Sequence, residues 1–315
     1  MNRFKNILLL ADKGHGIKEL IKRASDLAEA NKAKLTIIDV QEDYTKDITD
    51  IVSAKRLSEI QSEFTKSKLD RLIKIWGSSS HNSIKAKVKV LTGTPFLETI
   101  KEVLREKNDL LIKVAEEKTG LKSKLFGTTD MHLMRKCPCP LWIIKPTRKR
   151  KYHRIMAAVN PVNDKYEQSD LNVKIMDLAT SLANEDNSEL HIIHVWNFFD
   201  ELTLRGRRMN MPKDQADALI DSVETVHRHR LIELISKYAL KNTKHKVHLL
   251  RGKPSVLIPL TAASSKIDLI VMGTLARSGV AGMFIGNTAE EVLNSVNCSV
   301  LTVKPDDFKT PITID

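Results

Sequence analysis

Short apolar runs recur along the chain, each closed by a charge, a glycine or a proline and followed by a segment with apolar residues at three- and four-residue steps. Asn6 to Asp12 reads as the first strand, and Ile17, Leu20, Ile21, Ala24, Leu27 and Ala28 mark the apolar stripe of the helix behind it. Lys34 to Val40 reads as a second strand. A long amphipathic helix over Ile51 to Trp76 offers Leu57, Ile60, Phe64, Leu72 and Ile75 to a core. From Ile84 to Val90 apolar residues and lysines alternate, the period of a strand with one wet face. Pro95 opens a helix through roughly Arg105, at a position where its missing N–H costs no hydrogen bond. Asp109 to Ala115 and Leu141 to Lys145 supply the fourth and fifth strands.

The pattern then begins again. Strands are expected at His153 to Asn160, Leu190 to Val195, Lys246 to Leu250, Leu269 to Met272 and the closing "VLTVKP", with helices near Leu171 to Ala183, Gln215 to Leu240 and Ser255 to Ser264. Gly93 and Gly252, Pro95 and Pro254, Asp109 and Asp268, Gly127 and Gly286, Cys139 and Cys298, and Pro146 and Pro305 are each separated by 159 residues. Six punctuating residues at one offset mark a tandem duplication. Upstream the offset falls to 148 for Ile7 against Ile155 and 155 for Val40 against Val195, so loops there have changed length. Alternating strands and helices give a parallel sheet covered on both faces, because each crossover needs a helix. The charged, aperiodic "PTRKRKYH" from Pro146 to His153 is the linker. The expected domains are residues 1–147 and 152–306, with a tail at 307–315.

Composition narrows the class. The 42% apolar, 29% charged and 5% aromatic content is that of a soluble globular protein, and no run approaches the length of a membrane span. Three cysteines, Cys137, Cys139 and Cys298, make no even disulfide framework, so a reducing, cytoplasmic setting is expected. The net charge of +12 lies wholly in residues 1–150, which hold 31 Lys and Arg against 19 Asp and Glu, whereas the remainder holds 20 of each. A lysine-rich solvated surface is the preferred reading, and nucleic acid is disfavoured because no aromatic residues interleave with the lysines.

The stretch Ile267 to Pro305 carries the candidate chemistry. A buried strand ends at Gly273, a glycine-bearing loop runs from Thr274 to Ile285, and a helix starts at Gly286, Asn287 and Thr288 with Asn287 as its expected N-cap. Unpaired N–H groups at such a helix start form an anion site without a catalytic side chain. Gly273, Gly279, Gly282 and Gly286 allow close backbone approach, and Arg277 is a cation able to grip phosphate. No nucleophile elbow, Walker sequence or paired-histidine zinc motif occurs, so no catalytic residue and no enzymatic activity are expected. His132, Cys137 and Cys139 raise a zinc reading, but the Cys-Pro-Cys spacing is tight and no fourth ligand is visible, so buried cysteines are preferred and no metal is assigned. His191 and His194, like His245 and His248, fall on opposite faces of strands and do not chelate as pairs. Arg205, Arg207 and Arg208, with Phe198, Phe199, Leu202, Leu204, Met209 and Met211, lie in an insertion that either covers an apolar ligand or packs on the following helix. Packing is preferred.

The string "GTLARSGVAGMFIGNTAE", the closing "SVLTVKP" and the segment "DMHLMRKCPCPLWIIKP" resemble the universal stress protein family, and in particular its tandem members from Gram-negative bacteria. The resemblance covers nearly the whole chain. It implies two five-stranded Rossmann-like sheets in the order 3-2-1-4-5 that pack as a dimer within one chain, pairing through the last strands of both halves. It further implies a stress-response protein that binds rather than turns over. Nucleotide-binding members carry Gly-x2-Gly-x9-Gly-Ser/Thr. The matching positions in the second half are Gly273, Ala276, Gly286 and Asn287, so two depart; in the first half they are Val114, Glu117, Gly127 and Thr128, with Glu116 and Glu117 where polyphosphate would approach. An adenine nucleotide is therefore the implied ligand, held weakly in the second half by Asn160, Val195, Gly273, Arg277, Gly279, Gly286, Asn287 and Thr288. Asp12, Val40, Gly127 and Thr128 mark a degenerate first-half counterpart. Two readings compete with it: an apolar or lipid-like ligand, and an interaction module without a ligand.

Overall fold

The computed structural model describes residues 3–12, 16–43, 53–78, 84–116, 126–145, 151–162, 166–198, 211–274 and 285–314. The described residues divide into two units, one holding the first half together with Ile285 and the tail from Asp307, the other holding Lys151 to Thr274 and Gly286 to Asp306.

The first unit runs β1 (Asn6–Leu10), α1 (Ile17–Asn31), β2 (Lys34–Gln41), α2 (Ala54–Gly77), β3 (Ala86–Thr92), α3 (Pro95–Glu106), β4 (Leu110–Val114), α4 (Thr128–Lys136) and β5 (Leu141–Ile144). Its strands are parallel in the order β3-β2-β1-β4-β5. β1 and β4 are apolar except at Asn6 and Lys113 because both faces are covered: Ile7 to Leu10 and Leu110 to Ile112 have no exposed surface. Register places Ile7 beside Leu35 on one side and Leu110 on the other. The second unit repeats this with β6 (Arg154–Ala158), α5 (Tyr166–Asp186), β7 (Glu189–Trp196), α6 (Lys213–Ser236), a 3₁₀ turn (Leu240–Asn242), β8 (His245–Arg251), α7 (Pro254–Ser264), β9 (Leu269–Gly273), α8 (Asn287–Ser295) and β10 (Ser299–Val303). The order is β8-β7-β6-β9-β10, and Ile155 lies between Leu190 and Leu269 as Ile7 does between its neighbours.

The duplication extends to unusual backbone. Gly93 and Gly252, each just before a proline-led helix, have φ of 138° and 147°, a region closed to residues with a Cβ. Lys107 and Lys266, the C-terminal residues after α3 and α7, both adopt left-handed φ, at 53° and 51°. Lys32 and Asn187 do the same after α1 and α5, at 52° and 56°.

Three expectations need correction. The alternating strand lies at Ala86–Thr92, two residues later than its lysine pattern suggested, and its polar face is not simply wet. Lys89 pairs with Glu102 at 2.5 Å and Glu106 at 2.7 Å, and Lys87 with Glu106 at 3.1 Å, so the face is tied to α3 by charge. Phe64, offered to the core, is 56% exposed, whereas Leu57 and Leu72 of the same helix are buried. The helix expected to reach Leu240 stops at Ser236 and gives way to the 3₁₀ turn.

Candidate functional site

In an open parallel sheet, ligands approach the carboxyl ends of the central strands, where strand order reverses. In the first unit that position lies beside the ends of β1, β2 and β4, and the protein's own charges fill it. Lys113, on β4, has no exposed surface. Its Nζ lies 2.5 Å from Asp130 Oδ1, 3.2 Å from Asp12 Oδ2 and 3.7 Å from Glu116 Oε1. Burial works against the lysine's charge, but the attraction of Asp130, Asp12 and Glu116 outweighs it and raises its pKa above the ordinary value. Burial also pushes Asp12 up to about 6, against the pull of Lys113. Asp130, buried on the first turn of α4, accepts from the Gly127 N–H at 3.1 Å and the Glu116 N–H at 3.0 Å with its other oxygen.

The end of β2 is filled in the same way. Asp39, 1% exposed near the end of β2, meets Lys68 at 3.0 Å and Arg71 at 3.1 Å, both on α2. Lys68 donates in addition to the Val40 carbonyl at 2.8 Å, and Arg71 to the Ala11 carbonyl at 3.3 Å. Glu116 lies over Gly127 so closely that a Cβ there would overlap its carboxylate, at 1.4 Å from Oε2. A carboxylate thus stands against the glycine at the start of α4, where a phosphate would approach.

The second unit carries none of this charge. The positions matching Asp12, Lys113 and Asp130 hold Asn160, Met272 and Ala289. Asn160 is joined to Asn172 of α5 by a reciprocal pair: its N–H donates to Asn172 Oδ1 and its carbonyl accepts from Asn172 Nδ2, both at 2.9 Å. α8 starts from Gly286 in extended backbone with no side-chain cap. The Gly286 N–H donates to the Thr274 carbonyl at 2.8 Å. Thr274 is fully buried, and its hydroxyl finds no hydrogen-bond partner among the described residues. Leu171 packs on Gly273, its Cδ2 within 2.8 Å of where a Cβ would stand.

Beside Val195, 8% exposed near the end of β7, histidines form an ordered chain. His194 Nδ1 lies 3.1 Å from the Val159 carbonyl, and its Nε2 lies 2.8 Å from His227 Nδ1 on α6. A carbonyl only accepts, so His194 Nδ1 donates to Val159. His227 stacks on Trp196 at 5.1 Å, and burial lowers its pKa. On the other face of β7, His191 Nδ1 meets His248 Nε2 at 3.0 Å and its Nε2 meets Glu189 at 3.3 Å. Burial lowers the pKa of both imidazoles, while the hydrogen bond from Lys246 leads the effects that draw Glu189 down to about 2. His191 and His194 therefore do point to opposite faces of β7, and each finds a histidine partner on a different element.

The sequence pattern of the universal stress protein family matches residues 3–145 and again residues 151–304. The chain belongs to the universal stress protein family. It is 25% identical over 317 residues to universal stress protein E of Escherichia coli strain K12, covering 100% of this chain and 98% of that one. It is 27% identical to universal stress protein E of Photorhabdus laumondii, over 99% of this chain and 98% of that one. The fold follows a solved universal stress protein from Pseudomonas aeruginosa UCBPP-PA14 with a TM-score of 0.71 at 23% identity, across 97% of this chain and 95% of that chain.

Several residues marked from the family's motif have other duties in this universal stress protein. Asp12 faces Lys113, the Val40 carbonyl is taken by Lys68, and Gly127 is covered by Glu116. Thr128 is exposed on the first turn of α4, where Gly127 is the N-cap and Asp130 makes the capping hydrogen bond. The expected cap at Asn287 moves likewise: Gly286 is the N-cap of α8, and Asn287 and Thr288 are exposed on its first turn. Arg277, Gly279 and Gly282 lie outside the described residues, as does the loop of Arg205, Arg207 and Arg208. Among the described residues no group of three metal-ligating side chains gathers, and His132 stacks on Phe96 with centroids 4.3 Å apart. Lys113 is among the site residues that sequence reasoning missed, with Asp39, Lys68, Arg71 and Asn172. The signal of Lys113 was a charge inside the otherwise apolar run "LLIKV".

Proposed function

We propose that this chain is a stress-response protein that acts by binding, and that its second unit accepts an adenine nucleotide weakly at the start of α8. The carrying observation is the buried Thr274 hydroxyl without a described partner, one hydrogen bond from the uncapped helix start at Gly286. A phosphate oxygen is the acceptor such a hydroxyl and such a helix terminus suit, through their donors and the helix dipole together. The contrast within the chain supports the assignment. The first unit meets the same needs internally, with Glu116 at Gly127, Asp130 as cap and Lys68 on the Val40 carbonyl. It is read as a closed, ligand-free copy.

Titration calorimetry with ATP tests the reading. Saturable binding is expected, Gly286→Val should abolish it by blocking phosphate approach, and Thr274→Val should weaken it several-fold through a lost hydrogen bond of about 1 kcal/mol. Absence of saturable heat, or binding indifferent to Gly286→Val in a folded variant, refutes it.

A second reading, an interaction module without a ligand, draws on Leu171 over Gly273 and Asn172 across Asn160, which fill space at the ends of β9 and β6. Native mass spectrometry of freshly purified protein separates the two. A nucleotide adduct favours the first, a bare mass the second, and a copurifying apolar species would instead support the lipid-like ligand.

A further inference from the structure

We infer that Cys137 and Cys139 form a reversible dithiol couple oxidised by hydroperoxides, an activity independent of the nucleotide reading. The two sulfurs lie 3.6 Å apart with only Pro138 between the residues. No disulfide joins them, and both are buried. Cys137 ends α4 with its N–H on the Leu133 carbonyl at 2.8 Å, and the Pro140 carbonyl accepts from Leu111 at 3.0 Å, so both flanks of the pair are held by backbone hydrogen bonds. Pro138 and Pro140 fix φ at alternate positions, which removes the freedom that would let the sulfurs drift apart. Closing from this separation to a bond of ~2.05 Å requires rotation of the side chains rather than rearrangement of an element.

Unequal exposure sets the order of events. Cys139 is 9% exposed and Cys137 not at all, so a peroxide meets Cys139 first. The Cys139 thiolate attacks one peroxide oxygen and the O–O bond breaks. That oxygen remains on sulfur as a sulfenic acid, and the other leaves with a proton as water, or as an alcohol from an alkyl peroxide. Cys137 then attacks the Cys139 sulfur, the S–S bond forms, the S–O bond breaks and a second water leaves. Two thiols lose two electrons and two protons, and the peroxide is reduced by two electrons. The second unit provides an internal control. Val296 stands where Cys137 does, so the second unit has a single cysteine, Cys298, at the position of Cys139.

The test is differential alkylation of the full chain after hydrogen peroxide, with tryptic mass mapping before and after dithiothreitol. The peptide of residues 137–148 should lose two hydrogens, regain them on reduction, and stay unalkylated in between, while Cys298 remains alkylatable once the chain is denatured. Cys137→Ala should convert the reversible loss into progressive oxygen addition at Cys139. Oxygen addition at Cys139 in the unaltered chain with Cys137 still alkylatable overturns the inference. So does a pair that stays reduced under conditions that oxidise Cys298, or a zinc ion bound in native spectra that protects both thiols.

Discussion

Lys113→Met places in the first unit the residue that the second unit has at the matching position, Met272. The ammonium it removes is fully buried and faces carboxylates at 2.5, 3.2 and 3.7 Å. Taking one member from a buried ion pair costs about 3–5 kcal/mol, because the remaining charge is left without compensation. Asp130 bears most of that here, being fully buried, while Asp12 and Glu116 retain 30% and 29% side-chain exposure and turn to water. The lower end, about 3 kcal/mol, is therefore expected. Asp130 keeps its two backbone donors, and without the ammonium Asp12, already pushed up to about 6 by burial, takes up its proton more readily, so the deficit should shrink between about pH 7 and about pH 5. Hydrogen exchange of β4 peptides, read by mass spectrometry against β9 peptides of the same chain, measures this locally. Adding Asp12→Asn and Asp130→Ala completes the neutral set of the second unit and should recover all but about 1–2 kcal/mol, the remainder being the lost cap at Gly127. A Lys113→Met deficit under about 1 kcal/mol at neutral pH, or one that does not change on acidification, would refute the charge argument.

Asp12→Asn should stabilise the first unit at neutral pH. With a folded value of about 6 against an ordinary 3.8, Asp12 contributes stability that is fully present below the lower value and lost as pH rises through the higher. The gain is at most about 3 kcal/mol, and exchange in β1 peptides should lose its acid-side rise in the variant. His191 and His248 have depressed values, so their contribution is present above the unfolded histidine value and is lost as pH falls through the folded one; their ring proton shifts by NMR should remain neutral to below pH ~6.5. Gly252→Ala forces a Cβ into φ of 147° and within 2.8 Å of Leu257 Cδ1, and should cost about 1–3 kcal/mol by urea unfolding; an unchanged midpoint would contradict the backbone assignment. Lys266→Gly relieves a left-handed lysine at 51° and should raise stability by about 0.5–1 kcal/mol.

Much of this fold was legible because its signals are local. A strand covered on both faces is apolar at nearly every position, so "LLIKV", despite its lysine, and "LIVM" announced β4 and β9, and prolines at Pro95 and Pro254 announced two helix starts. Repetition at one offset did the rest, since a duplicated sheet needs the same turns in the same places. Element ends shifted where the last turn has no strong punctuation, as at Ser236, four residues short of the expected Leu240. Phe64 was misplaced for a related reason: α2 is long, only part of its apolar stripe meets β2 and β3, and periodicity does not say which part.

The chain's order of apolar runs, glycines and prolines determined two copies of one parallel sheet and the strand ends at which a ligand would be sought. Only the tertiary structure decided what occupies those ends. Lys113 and Asp130 are 17 residues apart, and Lys68 and Asp39 are 29 apart, so their pairing depends on how β4 meets α4 and how α2 lies on β2. The same holds for His194 with His227 and for Glu116 over Gly127. Helix and strand periods are written in neighbouring residues, whereas the compensation of a buried charge is settled by whichever distant group folding brings within reach.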